Sequence, residues 1–478
     1  MWACGNFDYE YGDRGKQSPV TIFIWKKACI VQAVVRNSRK WEMLCPNECK
    51  RGEKMKLGFG QRDITPDFPC RLAGYAADRK MIGVHDKIFV KVALAENEGV
   101  YYTLINYDLI AVDSLLMERV KELCRQQSLP EDNLYFTAIH THSGPMGVIN
   151  TETRFLKSTK VLMGEVNQKL IAEIAVQTTR AMKEAYQNMG QATFKLGIGK
   201  CQGIGKNRIS SDFPGNEDLL LLEAKNGYKK AIFTLFACHP TVLNAGNTLC
   251  SADFPGEYND QMIKNGYDIS FYMSGSCGDI STRFTRQGTD FSETERLGKL
   301  LAAAAGNILP RLDDWEINQI HIGKINIELK AKVSKTLKEA EEKRNAEYER
   351  LQQAKKEDLS AVALRVIENA FEAAEADWRY AQNKDNQSSY TIAVDIVKLN
   401  KEIFIGIPGE LFSALSNPLQ DGHTHFINYM NGYLMYFADE YAYDHNLYEA
   451  NSSLFAKGES EKMMREIEKQ IREWRKEA

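Results

Sequence analysis

The chain lacks an excess of charge of either sign: 61 lysines and arginines stand against 64 acidic residues in 478. It therefore has no global field to steer it onto nucleic acid or an anionic membrane. It also lacks a long uninterrupted apolar run near its start. Val20 to Val35 is broken by Lys26 and Lys27, too short and too charged to span a bilayer. Arg36, Arg39 and Lys40 follow where a signal peptide needs small residues for cleavage. The ten cysteines have no regular spacing, and Cys238, Cys250 and Cys277 fall in or beside apolar runs, where a thiol packs as a small hydrophobe. These absences exclude nucleic acid as a partner and a transmembrane segment, predict a reducing, cytoplasmic setting, and leave oligomeric state open. Specificity must come from local clusters of side chains.

Residues 1–54 show neither helical nor strand periodicity and read as an ill-defined extension. Cys45 and Cys49 offer a small metal knuckle as the alternative, and Met55 is a candidate first residue. A clean pattern starts at Met55, and residues 55–478 read as one catalytic domain. Tyr101 to Asn106 predicts a buried strand, Ser114 to Cys124 an amphipathic helix and Leu134 to Ile139 a second strand. Further strands are expected over Ala231 to Cys238, Ile269 to Met273, Ile403 to Ile407 and Phe426 to Met430, with helices over Val166 to Tyr186 and Glu293 to Ile308. Strands alternating with helices predict an α/β fold with a layered, at least partly parallel or mixed sheet flanked by helices. Residues 334–381, rich in Ala, Glu, Lys and Arg with apolar residues at helical spacing, read as a helical-hairpin insertion, a solvated excursion in preference to a lid. From Ser460 onward, Met463, Met464, Ile467, Ile471 and Trp474 form one face of a docking helix.

Chemistry-bearing residues cluster directly after the apolar strands, where α/β proteins bind ligands. His140, Thr141 and His142 follow one strand, and His239 and Pro240 follow another. Gly275 to Ser281, with Asp279, follows a third. Pro408, Gly409 and Glu410 follow a fourth, and Asn431 to Tyr436 a fifth, with Tyr448 beyond. Histidine and carboxylate at neighbouring strand ends suit zinc, which takes both in a four-coordinate site. His423 and His425 form a second His-x-His pair but precede a strand, so they read as surface or strand-edge residues. His85 reads as a turn histidine bonded to Asp86.

These blocks resemble the catalytic domain of neutral ceramidases, which hydrolyse the N-acyl amide of ceramide. The resemblance is carried by Gly60, Asp63, Ile64 and Thr65, by Gly74-Tyr75-Ala76, by Gly83-Val84-His85, and by Ile139-His140-Thr141-His142-Ser143-Gly144-Pro145. It continues through Asn207-Arg208, His239-Pro240-Thr241, Gly278-Asp279-Ile280-Ser281, Pro408-Gly409-Glu410 and Tyr448-Glu449. It implies a Zn2+ ion held by His140, His239, Glu410 and Tyr436, with attack by zinc-activated water. His142, Arg208 and Tyr448 would surround the scissile carbonyl and stabilise the oxyanion. Asp279 would orient Arg208 or His142, and Ser281 would position substrate in preference to acting as a nucleophile.

Departures accompany the match. The chain ends soon after Tyr448, so no C-terminal immunoglobulin-like domain or secretion signal is expected, and Ser281 is followed by Thr282 and Arg283 where the family has proline and asparagine. Three functions compete: an amidase of ceramide or another N-acyl lipid, within sphingolipid metabolism; a zinc hydrolase of a non-lipid amide or ester; and a non-catalytic protein retaining the fold. The first predicts a deep apolar pocket beside His140 and Glu410, the second a shorter and more polar cleft.

Overall fold

Strands form where residues alternate between two faces. Along Lys56–Asp63 (β1), Leu57 and Phe59 enter an apolar core, while Gly58 and Gly60 lie against helical backbone on the other side. The computed structural model describes residues 47–48 and 55–476, apart from 77, 154–155, 211, 358, 360 and 384–387. The extension with Cys45 and Cys49 thus lies outside the described residues, except for Asn47–Glu48.

Three five-stranded mixed sheets follow one another along the chain, and each repeats one plan. In the first, β1, Phe89–Asn97 (β2) and Val100–Tyr107 (β3) form an antiparallel meander. The chain then crosses through helix α1, Ser114–Gln126, to Leu134–Ala138 (β4), parallel to β3. Helix α2, Gln168–Gln187, covers the outer face of β1 and β2. In the second sheet, Thr193–Lys200 (β5), Asp218–Lys225 (β6) and Lys230–Phe236 (β7) are antiparallel. Helix α3, Asp253–Lys264, then leads to Ile269–Ser274 (β8), parallel to β7, and Phe291–Ile308 (α4) packs beside α3. In the third, Gln319–Lys330 (β9), Ser389–Leu399 (β10) and Glu402–Gly406 (β11) are antiparallel, and Thr424–Ile427 (β12) is parallel to β11. Between β9 and β10 the chain makes two packed helices, Leu337–Ala354 (α5) and Ala361–Gln382 (α6). A short helix Tyr448–Ser452 (α7) and a long one, Glu459–Lys476 (α8), end the fold, with Met463, Met464, Ile467 and Ile471 of α8 buried and the helix packed on β9.

The middle and third strands of every sheet are joined by tight hairpins. Left-handed backbone falls at Glu98 and Gly99 (φ 52° and 82°), at Gly227 (83°) and at Asn400 (55°), as the twist of short hairpins requires. The edge strands β4, β8 and β12 meet one another. Ser274 Oγ donates to Ile139 O at 3.0 Å, Asn428 N to Ser274 O at 2.8 Å and Asn431 N to Phe136 O at 2.9 Å. Phe59, Phe233, Phe271, Ile427 and Met430, drawn from all three sheets or the loops just after them, share one core. Because each edge strand runs parallel to its neighbour, the carboxyl ends of all three parallel pairs open toward one place.

The mixed α/β class read from the sequence is observed, in three sheets. The strand, helix, strand unit over 101–139 is β3, α1 and β4. Strands β5, β9 and β10 went unread because they alternate apolar with more polar residues instead of forming apolar runs, and the four-leucine run of β6 was passed over as well. Within and just beyond 334–381 the chain runs as the packed helices α5 and α6. His423 and His425 are not simple surface residues: both grip the buried Glu402 carboxylate at 2.9 Å, and His425 is itself buried. His85 bonds Asp86 at 2.8 Å as read. Among the described residues, no helix is long and apolar enough to cross a membrane.

A Cβ at Gly60 would stand 2.0 Å from Ala181 O in α2, backbone against backbone, with no side chain to yield. Gly60→Ala is expected to destabilise the fold by about 3 kcal/mol, the cost of overpacking a tight interior, read as a lower urea midpoint with unchanged slope.

Candidate metal centre

Each sheet sends one donor to the common point, and each donor is oriented by the neighbouring strand end of its own sheet. His140 follows β4, and its Nδ1 lies 2.6 Å from Ile110 O in the loop after β3. His239 follows β7, and its Nδ1 lies 2.5 Å from Cys277 O after β8. Glu410 follows β11, and its Oε1 accepts from Tyr433 Oη, beyond β12, at 2.6 Å. A carbonyl oxygen only accepts, so both Nδ1 atoms carry the proton and both Nε2 atoms present lone pairs.

Those lone pairs converge on the remaining oxygen of Glu410. His239 Nε2 lies 2.8 Å and His140 Nε2 3.7 Å from Glu410 Oε2, and all three side chains are almost wholly inaccessible. Burial pushes the His140 imidazole down to about 3, against the pull of Glu410, so it is neutral. Burial alone would raise the Glu410 carboxyl, but His140, His239 and the Tyr433 hydroxyl hold it well below the usual range. Three electron-pair donors thus face one point with no proton of their own to share. The donor chemistry fits a divalent cation, and mixed imidazole and carboxylate is a zinc-type set.

His142 is the next donor out. Its Nε2 is 3.2 Å from His140 Nε2, its Nδ1 is buried without a partner, and burial followed by the adjacent His140 pushes it well below its ordinary value. The ligand atoms of His140, His142 and His239 lie within 4.8 Å of one another. The Gly74-Tyr75 turn backs His142 directly. Gly74 has φ +97°, a Cβ there would meet His142 Nδ1 at 2.3 Å, and the Tyr75 ring meets the imidazole edge-on at 4.9 Å. Arg79 donates to His142 O at 2.7 Å from beneath. His140 itself sits at φ +70° and stacks on Tyr429, at φ +59°, with centroids 4.0 Å apart. Left-handed backbone at two non-glycine residues costs on the order of 1–3 kcal/mol each, offset here by close packing and the Nδ1 bond.

Tyr436 is the parallel register partner of Glu410, and its hydroxyl accepts from Arg208 at 3.1 Å. Arg208 is buried, which would lower its pKa, but Tyr436 and Glu449 hold it charged; its Nε pairs with Glu449 at 2.8 Å. The Tyr448 ring meets that of Tyr436 at 6.0 Å. His142, Arg208, Ser281, Tyr436 and Tyr448 all line one cavity of about 720 Å³.

The comparisons with known proteins bear on this centre. Residues 55–266 match the family model described as neutral/alkaline non-lysosomal ceramidase, N-terminal. The chain is similar to the neutral/alkaline ceramidase family over that stretch. It is 24% identical over 274 residues to neutral ceramidase 2 of Arabidopsis thaliana, covering 52% of this chain and 35% of that one. It is 22% identical over 298 residues to neutral ceramidase of Pseudomonas aeruginosa, covering 55% and 43%. The matches thus span under half the length of these curated relatives. The crystal structure of the Pseudomonas aeruginosa neutral ceramidase shares the fold, with a TM-score of 0.66 at 16% identity over 86% of this chain and 73% of that one.

Of the residues read from the sequence, His140, His239 and Glu410 meet at the centre, and His142, Arg208, Ser281, Tyr436 and Tyr448 surround the adjoining cavity. Asp279 does something else. Its carboxylate accepts from Asn207 Nδ2 at 2.9 Å, Ser413 N at 2.6 Å and Ser413 Oγ at 2.9 Å, and only its backbone carbonyl meets Arg208, through that residue's N–H at 2.7 Å. It ties the loop after β8 to the loop after Glu410 instead of orienting a side chain over substrate. Tyr429 and Arg79 were not singled out from the sequence, and Tyr433 was named there only within the cluster after the fifth strand. Only the second oxygen of Glu410, which needs a buried donor, hints at Tyr433.

Replacing Tyr433 with phenylalanine removes the one bond to Glu410 Oε1 and lets the carboxylate turn. Tyr433→Phe is expected to weaken the affinity of this centre for a divalent cation by about 10- to 100-fold, the usual cost of losing a ligand's outer hydrogen bond, measured by competition with a chromogenic chelator.

Proposed function

We propose that this chain is a zinc-dependent hydrolase of an N-acyl amide bond, the reaction class of the ceramidases it is similar to. The single observation that carries the reading is the convergence of His140 Nε2, His239 Nε2 and Glu410 Oε2 on one buried point beside an open cavity. His140, His239 and Glu410 would hold the ion, with Tyr436 and His142 as the nearest further donors. When bound, zinc supplies a Lewis acid that polarises a carbonyl and brings the pKa of water toward neutrality.

The chain's own groups supply the rest. His142, neutral and fixed by Gly74, Tyr75 and Arg79, can take or return a proton at Nε2 on the cavity side. Arg208 stays cationic and, with the Tyr448 hydroxyl, offers donors to a carbonyl oxygen that gains negative charge. Burial raises the Tyr448 phenol, so it serves as a proton donor. Ser281 lies on the cavity wall, its Oγ accepting from Arg283 N at 3.3 Å. Among the described residues, no charged side chain is recorded bonding to its hydroxyl, which supports a positioning role. Glu449 and Tyr436 keep Arg208 in place.

A second reading, hydrolysis of an amide outside the lipids, is favoured by the cavity wall. It is lined by Arg208, Arg283, Arg286 and Arg379 and by four glutamates, among apolar residues such as Leu162 and Ile209, not by the continuous apolar surface a two-chain lipid calls for.

His239→Ala is expected to abolish zinc binding and amide cleavage together. Tyr448→Phe should keep about one zinc per chain and lower kcat by roughly 10²-fold or more, the scale of losing one oxyanion donor. Metal analysis beside fatty-acid release from N-acyl substrates, ceramide included, checks both; turnover surviving in His239→Ala would rule out this centre.

A further inference from the structure

The cavity meets the candidate metal centre at His142, which lines its wall and stands 3.2 Å from His140. Arginine guanidinium groups line the same wall, and most are bonded inside the protein. Arg208 is held by Glu449 and Tyr436, Arg379 pairs with Glu375 at 3.2 Å, and Arg283 donates to Arg208 O at 2.9 Å. Arg286 differs. It too lines the cavity, its Nη1 donates to Thr241 O at 2.7 Å, and no carboxylate pairs with it among the described residues.

The residue is nonetheless fixed at both ends. Its backbone N–H donates to Thr282 O at 2.8 Å, Thr241 N donates to His239 O at 3.0 Å, and His239 bridges Ser281 in parallel register. The segment after Ser281 therefore holds its backbone, and the segment after His239 holds its Nη1. A guanidinium carries five N–H groups in a planar fork and no acceptor, so most of this fork is left for an oxygen that the protein does not supply. An amide substrate has few such oxygens. In the amide-hydrolase reading the scissile carbonyl belongs to the centre, with Arg208 and Tyr448, and the acyl group beyond it is hydrocarbon. The acceptor then lies on the amine portion. As many glutamates as arginines line the cavity, so an ionised ligand group would meet repulsion as well as attraction, whereas a hydroxyl oxygen accepts from a guanidinium without bringing a charge in.

We propose that Arg286 is a substrate-binding residue that donates to a hydroxyl oxygen of the amine portion, so that the chain favours N-acyl amides of hydroxylated long-chain amines over the same amides without hydroxyls. The proposal rests on the amide-hydrolase reading and names a contact within its substrate site.

The test compares N-octanoyl sphinganine with N-octanoyl 2-aminooctadecane in detergent micelles, two amides of one carbon skeleton that differ only in the hydroxyls. Cleavage is followed with the zinc-loaded full chain, and binding to the metal-free full chain is followed by calorimetry. In Arg286→Met, at an unchanged melting temperature, the sphinganine amide is expected to lose about tenfold or more in kcat/KM, the scale of one hydrogen bond to a charged group. The loss should fall in KM more than in kcat and appear equally in binding, while the hydroxyl-free amide loses nothing. Arg286→Gln, a second removal of the charge, is expected to show the same difference. Equal losses for both amides in both variants, or no loss for the sphinganine amide, overturn the Arg286 contact and leave the hydrolase reading standing. Arg286-dependent preference in binding with neither amide cleaved overturns the hydrolase reading and leaves the contact. Failure of both amides to bind or be cleaved overturns both.

Discussion

The centre depends on two hydrogen bonds that point away from it. His140 and His239 each give the Nδ1 proton to a backbone carbonyl, Ile110 O and Cys277 O, and this alone decides that their Nε2 atoms face inward as lone pairs. In the other tautomer an Nε2–H would meet the carboxylate, and the site would be an ordinary buried hydrogen bond. The carbonyls are in the right place because each follows the strand neighbouring that of the histidine it holds, in a parallel pair whose carboxyl ends lie side by side. Glu410 is held in the same way by Tyr433, with a side-chain hydroxyl in place of a carbonyl. Sheet topology and protonation state are therefore one constraint.

The threefold repetition of the sheet plan explains why three donors meet. An antiparallel meander followed by a parallel edge strand gives each sheet one pair of adjacent carboxyl ends, and edge-to-edge bonds through Ile139, Ser274, Asn428 and Asn431 bring the pairs together. The antiparallel strands lie farther out, backed by α2, by α3 and α4, and by α8. Left-handed backbone falls at the inner ends too, at His140, Tyr429 and Met435 with φ of 70°, 59° and 59°, and the sheets behind them carry the ordinary apolar burial that sustains it.

Much of this was legible in the sequence, for a physical reason. A strand buried on both faces reads as an apolar run, and the polar residues just after it are conspicuous; His140, His239 and Glu410 all follow such runs. The half-exposed strands β5 and β9 interleave polar residues or glycine with apolar ones and were passed over, which hid much of the antiparallel part of the second and third sheets. Asp279 was misjudged because its partners, Asn207 and Ser413, come from distant loops. The charged helix α6 read as a solvated excursion. Nothing in its own periodicity says that Glu368 and Glu372 face a cavity built from loops on either side of it. Composition gives the character of a face, and only the tertiary arrangement says what it looks at.

The most direct test of the account is anomalous scattering at the zinc edge from crystals of the full chain grown with zinc. The account predicts one ion bonded at about 2.0–2.2 Å to His140 Nε2, His239 Nε2 and a Glu410 oxygen, with both Nδ1 atoms still on their backbone carbonyls. An ion bound elsewhere, or the three donors closed on one another with no anomalous peak between them, would contradict it.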